Sequence, residues 1–226
     1  MENSFFGDKR VLLKFDKRDQ EFEKWLLNCE DQANTIAYIN EVIDGRWPEA
    51  EPILMKTEYA VGYADKFIKG RWLEAEPYIM KNPILAYRYA EEVIKGRWLE
   101  AEQTIMTDPE CTIAYALEII KGRWIEAEPF IKTSPACAAA YAIRITKMRW
   151  EDIQLELRIL ECTTELNYIG NPSSGYWQHS WETGVTKYVY ARMVAKTSWK
   201  KLYAEVKATH AEITCYDNIN LVGVEE

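Results

Sequence analysis

Histidine is nearly missing from this chain: 226 residues contain two, His179 and His210. They stand 31 positions apart, and neither falls in a ligand-spaced cluster, so no metal site is expected. The sequence also lacks a Walker loop, G-x-G-x-x-G, H-E-x-x-H and G-x-S-x-G, which leaves nucleotide-cradling, zinc-protease and serine-hydrolase chemistry without a scaffold. No catalytic residue and no cofactor is expected. The five cysteines form no C-x-x-C pair. There is no apolar run of 18 residues and no signal peptide with a cleavage site. The expectation is a soluble, non-enzymatic, cytoplasmic protein that does not enter a membrane.

What the chain has is repetition. Tryptophan returns at Trp47, Trp72, Trp98, Trp124 and Trp150, each within a near-copy of one phrase such as Gly70-Arg71-Trp72-Leu73-Glu74-Ala75-Glu76. Self-similarity at a fixed period of about 20–50 residues marks a solenoid, in which each unit buries its apolar face against its neighbours. Tyrosine stands nine residues before each tryptophan (Tyr38, Tyr63, Tyr89, Tyr115, Tyr141), followed by Ile39, Ala64, Ala90, Ala116 and Ala142. With Ala60 or Ala86 three residues earlier and Ile/Val pairs such as Val93-Ile94 later, these positions form an i, i+3, i+4, i+7, i+8 stripe. Asn82-Pro83, Asp108-Pro109 and Ser134-Pro135 supply a capping side chain before a first-turn proline. Lys69-Gly70, Lys95-Gly96 and Lys121-Gly122 end the helix with a cation and a glycine suited to the left-handed cap. This helix B is expected to run for about 11–12 residues.

The Trp-x-Glu-Ala-Glu phrase opens a shorter helix A. Pro52, Pro77 and Pro129 fall within it, where a proline removes a donor and clashes with the preceding turn, so helix A is expected to be short, kinked or partly 3₁₀. Cys111 and Cys137 share one repeat position and are expected as buried free thiols, one per layer. The expected fold is all-α: an α-solenoid of tandem two-helix repeats of about 26 residues with degenerate capping repeats at both ends. Residues 1–47 form the N-terminal cap, with Trp25-Leu26-Leu27 as its helix A, and residues 48–150 four regular repeats. Residues 151–226 continue the same solenoid through a loop at 170–183. A short β excursion through Leu155–Leu166 is the alternative in that stretch. Tyr190 to Trp199 matches Tyr89 to Trp98 in register, and Thr209 follows Trp199 as Asp108 and Ser134 follow their tryptophans.

Net charge is −8, unevenly spread. Between Pro48 and Glu128 there are 15 acids and 10 bases, whereas from Gly184 to Thr209 six bases face one acid. A nucleic-acid binder more often carries a continuous basic stripe, so nucleic acid is disfavoured as a partner, and the basic end reads as a local docking patch.

The stretch Ile94-Lys95-Gly96-Arg97-Trp98-Leu99-Glu100-Ala101-Glu102 resembles the "IKGRWPEAE" tandem repeats of bacteriophage and large DNA virus proteins. Met80-Lys81-Asn82-Pro83 and Tyr89-Ala90 are similar to the same repeat. The resemblance is strong over 45–150 and weak in the flanks. It implies a viral accessory protein acting in the cytoplasm of an infected host cell, and it carries over no catalytic residue.

The strict repetition of Arg46, Arg71, Arg97, Arg123 and Arg149, and of the glutamates two and four residues after each tryptophan, points to stacking, as Arg–Glu bridges between repeats. Partner contacts are expected where copies differ on helix B: Tyr87, Arg88, Glu91, Ile113, Leu117, Ala140, Ile143 and Arg144, a row growing more apolar toward the third and fourth repeats, with contact to an adjacent helix as the alternative. Trp177, His179 and Trp181 form a second candidate patch. The leading expectation is a protein-binding solenoid that inhibits or recruits a host protein. A small-ligand or nucleotide sponge using Arg88, Arg144 or the basic stretch is the alternative, and an acidic nucleic-acid mimic the second. Homo-oligomerisation is compatible with each.

Overall fold

Asn82 begins a helix by holding extended backbone while its side-chain oxygen accepts the N–H groups of Ile84 and Leu85, at 2.9 and 3.2 Å. Pro83 fills the first helical position, where a missing donor costs nothing. Asp108 and Ser134 repeat this start, and Asp31 caps without a proline. The computed structural model describes residues 17–29, 31–161 and 186–222, without the side chains of 186, 188, 212 and 214–222. The expected loop at 170–183 lies outside the described residues.

The described residues are all helix and turn, arranged as an α-solenoid of tandem two-helix repeats. The chain divides into two compact units, Met1–Lys95 and Gly96–Glu226. The first holds α1 (Gln20–Cys29), α2 (Gln32–Tyr38), α3 (Glu51–Leu54), α4 (Ala60–Tyr63), α5 (Glu76–Ile79) and α6 (Pro83–Tyr89). The second holds α7 (Glu102–Ile105), α8 (Pro109–Tyr115), α9 (Glu128–Ile131), α10 (Pro135–Tyr141), α11 (Ile153–Glu161), α12 (Thr186–Met193) and α13 (Trp199–Val222). Within each unit helix B packs on helix B of the next copy, as α4 on α6 and α8 on α10.

Helix B reaches its expected length in copies such as Pro83–Ile94 and is shorter at Ala60–Ile68, and it divides into an α part and a wider π part, as in Pro83–Tyr89 and Ala90–Ile94. The wide turn closes five residues back: Lys69 N–H donates to the Ala64 carbonyl at 2.7 Å, and Lys147 N–H to that of Ala142 at 2.8 Å. It ends in a left-handed residue, and this corrects the sequence expectation: that residue is Asp44, Lys69, Lys95, Lys121 or Lys147, with φ between 45 and 58°, rather than the following glycine. A Cβ built on Gly70, Gly96 or Gly122 meets open space, so nothing in the structure requires glycine there.

The π turn also corrects the stripe. Tyr38, Tyr63, Tyr89, Tyr115 and Tyr141 are fully buried, as are Ile39, Ala64, Ala90, Ala116 and Ala142 that follow them, but the later pair, Val93-Ile94 or Ile119-Ile120, is only half-buried. A five-residue turn rotates these side chains away from the face that a 3.6-residue period assigns them.

Helix A is 3₁₀ over Pro48–Ala50, Leu99–Ala101 and Ile125–Ala127, and each stretch runs into a single α turn. Pro52, Pro77 and Pro129 sit in the opening positions of those turns rather than inside a longer helix, so no donor is lost. Ala50, Ala75, Ala101 and Ala127 are fully buried, which lets the next helix approach closely.

At the C-terminal end Tyr190 and Ala191 are buried and Lys196 is left-handed, as the register with Tyr89 and Lys95 requires. Residues 155–161 are helical in α11, which excludes the β alternative for that part. Thr209 starts nothing: α13 runs through it unbroken, and its hydroxyl donates to the Glu205 carbonyl at 3.1 Å.

Candidate functional site

The repeated polar residues form one linkage. In the copy around Trp47, the guanidinium of Arg46 grips both oxygens of Glu51 at 2.5 and 3.0 Å. The Tyr63 hydroxyl donates to Glu51 at 3.2 Å and accepts the Trp47 backbone N–H at 2.7 Å. Arg71–Glu76–Tyr89–Trp72 and Arg97–Glu102–Tyr115–Trp98 repeat all of these bonds. Arg123 grips Glu128 likewise, and Tyr141 takes the Trp124 N–H.

The linkage extends to both degenerate ends. Arg18 grips Glu23, and Tyr38 bonds Glu23 and the N–H of Asp19, in a copy that has no tryptophan at this position. Arg149 grips Glu156, and Tyr190 donates to Glu156 at 2.7 Å and accepts from the Trp150 N–H. The Arg–Glu forks lie five residues apart across the tryptophan turn in the regular repeats, so each joins the end of one repeat to the start of the next, as the ladder suggested. The tyrosine reaches between copies. Its ring also meets the tryptophan that follows, at centroid distances of 5.3 Å for Tyr63–Trp72 and 5.2 Å for Tyr115–Trp124.

Electrostatics fit a strut rather than a proton relay. Burial, reinforced by the adjacent glutamate and opposed by the tryptophan N–H, pushes Tyr63, Tyr89 and Tyr115 up to about 12. The glutamate hydrogen bond raises Arg46, Arg97, Arg123 and Arg149. Near neutral pH the phenols stay protonated and the guanidiniums charged, so neither exchanges a proton.

The variable helix-B row lies where expected only in part. Tyr87 and Ile113 are fully buried and Ala140 is nearly so, which corrects their placement on an exposed face. Each adjoins the buried tyrosine stripe, and a helix sandwiched between neighbouring copies is covered on more than one side. In the first unit Arg88 and Glu91 are half-buried, and Arg88 pairs with Glu92 at 2.9 Å. In the second, Leu117, Ile143 and Arg144 are half-buried. Leu117 and Ile143 belong to π segments, Ala116–Ile120 and Ala142–Thr146, that pack on each other. Trp177, His179 and Trp181 lie outside the described residues.

Cys111 and Cys137 are buried free thiols, as their shared position implies. His210 lies against Gln154 at 2.7 Å. Among the described residues no three histidine, cysteine or acidic side chains cluster to hold a metal, and no helix is long and apolar enough to cross a membrane.

Two surface features escaped the sequence reading. Leu73, Leu99 and Ile125, directly after their tryptophans, are the most exposed large aliphatics of the regular repeats, at 64, 66 and 65%. Each is followed by an exposed glutamate, Glu74, Glu100 or Glu126, while the second glutamate of the phrase is turned into its arginine fork. Their regular recurrence was the available signal. No protein-family model, no curated protein and no solved structure matches this chain.

Proposed function

We propose that this chain is a non-enzymatic protein-binding solenoid, a viral accessory protein that inhibits or recruits a host factor. The observation that carries the binding reading is the pairing of Leu117 with Ile143: aliphatic, half-exposed, on packed π segments of neighbouring copies, with Arg144 beside them. The repeated arginine, second glutamate and tyrosine are consumed by the linkage, and the variable helix-B positions are left for recognition. The viral setting rests on the repeat resemblance alone. The inward-held Glu51, Glu76, Glu102 and Glu128 weigh against a nucleic-acid mimic, which needs its acids displayed.

The test is affinity capture of the tagged full chain from lysate of a phage-susceptible bacterium, followed by affinity measurement on the purified partner. Leu117→Arg combined with Ile143→Arg is expected to weaken that complex by at least about tenfold, the scale of losing one apolar anchor. A double variant that binds as tightly as the parent chain removes this surface from the account.

A further inference from the structure

The repeated apolar side chains of the regular copies are mostly buried, and the aliphatic residue after tryptophan is an exception. A side chain kept aliphatic in three copies yet about two-thirds exposed contributes little to stacking, so its chemistry is available to something outside the copy. In the unit Gly96–Glu226, Leu99 and Ile125 are followed by the exposed Glu100 and Glu126. Arg97 and Arg123 are forked onto Glu102 and Glu128, and Arg97 also feels the charge of Glu126, so these guanidiniums offset the exposed acids only in part. Over residues 96–161 eleven acids face eight bases, a net charge of −3.

A stretch later in the same unit has the opposite sign, before the acids of residues 210–226. Residues 186–209 carry six bases and one acid, Glu205, which Arg149 takes at 3.0 Å. Arg192, Lys196, Lys200, Lys201 and Lys207 are exposed. Val189 and Met193, one turn apart on α12, are exposed beside them at 36 and 50%. One surface thus sets exposed aliphatics beside acids, and the other sets exposed apolar side chains beside cations.

We propose that the basic stretch 186–209, on α12 and the first part of α13 of one copy, docks on the Leu99–Glu100 and Ile125–Glu126 face of a second copy of this chain. The two surfaces differ, so the contact is head-to-tail and propagates unless it closes into a ring. Apolar contact holds the pair, while opposite charge orients the encounter and makes it sensitive to salt. This surface lies on helix A and the terminal helices, apart from the Leu117–Ile143 pair on helix B.

Sedimentation velocity on the full chain, from about 1 to 200 µM at about 50 and 500 mM salt, tests the proposal. The expected result is a mass that rises with concentration at low salt and an apparent Kd weakened at least about tenfold at high salt. Two charge reversals, Glu100→Lys with Glu126→Lys and Lys200→Glu with Lys201→Glu, should each abolish self-association, because like charges then meet. Mixed together they should associate again, since each supplies the complement the other needs. Leu99→Ser with Ile125→Ser, changes at exposed positions that leave the core intact, should also give a monomer, whereas Leu117→Arg should associate like the parent chain. A chain that stays monomeric at the highest concentration and low salt overturns the proposal, as do reversed variants that associate like the parent or fail to recover on mixing. Recruitment of an acidic protein by the basic stretch of a strictly monomeric chain assigns that stretch to another partner and equally overturns it.

Discussion

The hydroxyl of Tyr63 takes the backbone N–H of Trp47 at 2.7 Å, from 16 residues further along the chain. The same hydroxyl donates to Glu51, and its ring lies 5.3 Å from that of Trp72. One side chain therefore ties the turn before it, the carboxylate of that turn and the tryptophan after it into a single joint.

Removing that hydroxyl leaves a buried N–H and a buried carboxylate each short of a partner. Tyr63→Phe and Tyr115→Phe are each expected to cost about 1–3 kcal/mol, the penalty for orphaning buried polar groups, although the ring stays in place. Urea unfolding measures this, and a loss below about 0.5 kcal/mol, the ordinary scatter of a surface substitution, would falsify the joint.

The phenols also set an alkaline limit. Tyr63, Tyr89 and Tyr115 rise from 10.0 to about 12 in the folded chain, chiefly through burial. A group whose folded pKa is raised contributes stability that is complete below its unfolded value and is lost as pH climbs through the folded one. Stability is thus expected to fall between pH 10 and pH 12, with phenolate absorbance appearing alongside unfolding. Ionisation of these tyrosines at pH 10 in a chain that stays folded contradicts the buried joint.

The left-handed residue offers a stabilising change. Lys121 sits at φ 58°, a conformation that costs an L-residue with a Cβ about 1–2 kcal/mol and glycine nothing. Glycine's extra unfolded-state entropy offsets part of this, so Lys121→Gly should gain about 0.5–1 kcal/mol. Gly122→Ala, whose new methyl meets open space, should be close to neutral. A large loss from Gly122→Ala would show that the glycine is the strained position after all.

Thiol reactivity should follow depth. Burial, with Asp108 nearby, pushes Cys111 well above the usual thiol range, and burial raises Cys137 to about 11, whereas Cys29 is exposed. Alkylation read by mass spectrometry near neutral pH should label Cys29 well ahead of Cys111 and Cys137, whose thiolate fractions and access are both small. Equal rates at all three sites would mean that the repeat layers open readily in the native state.

Much of this fold could be read in the sequence, because the features that specify it are local. Asn82-Pro83 and Asp108-Pro109 announce their helix starts, and the nine-residue Tyr–Trp spacing fixes the layer. The π turn could not be read, since Val93-Ile94 and Ile119-Ile120 satisfy a 3.6-residue period as well as they fit the wider turn that rotates them outward. That ambiguity hid the left-handed lysines. It did not affect Tyr87 and Ile113, whose burial comes from neighbouring copies rather than from the period of their own helix.

The candidate surface was legible only by contrast between copies. Leu117 and Ile143 differ between copies and so can be told from scaffold, whereas Leu99 and Ile125 repeat and look like scaffold in the sequence. The linkage at the N-terminal end was legible and missed. Arg18 and Glu23 keep the spacing of Arg46 and Glu51, but without a tryptophan the copy does not announce itself.

In the regular second-unit copies the tyrosine closes on its tryptophan N–H over 17 residues, but Tyr190 closes on Trp150 over 40. Loop-closure entropy grows only with the logarithm of length, so the 23 additional residues (40 − 17) cost about 0.8 kcal/mol. The joint between Trp150 and Tyr190 is therefore a permissive graft point. Separation in sequence across this joint is cheap, while the second-unit joints before it keep their 17-residue closure.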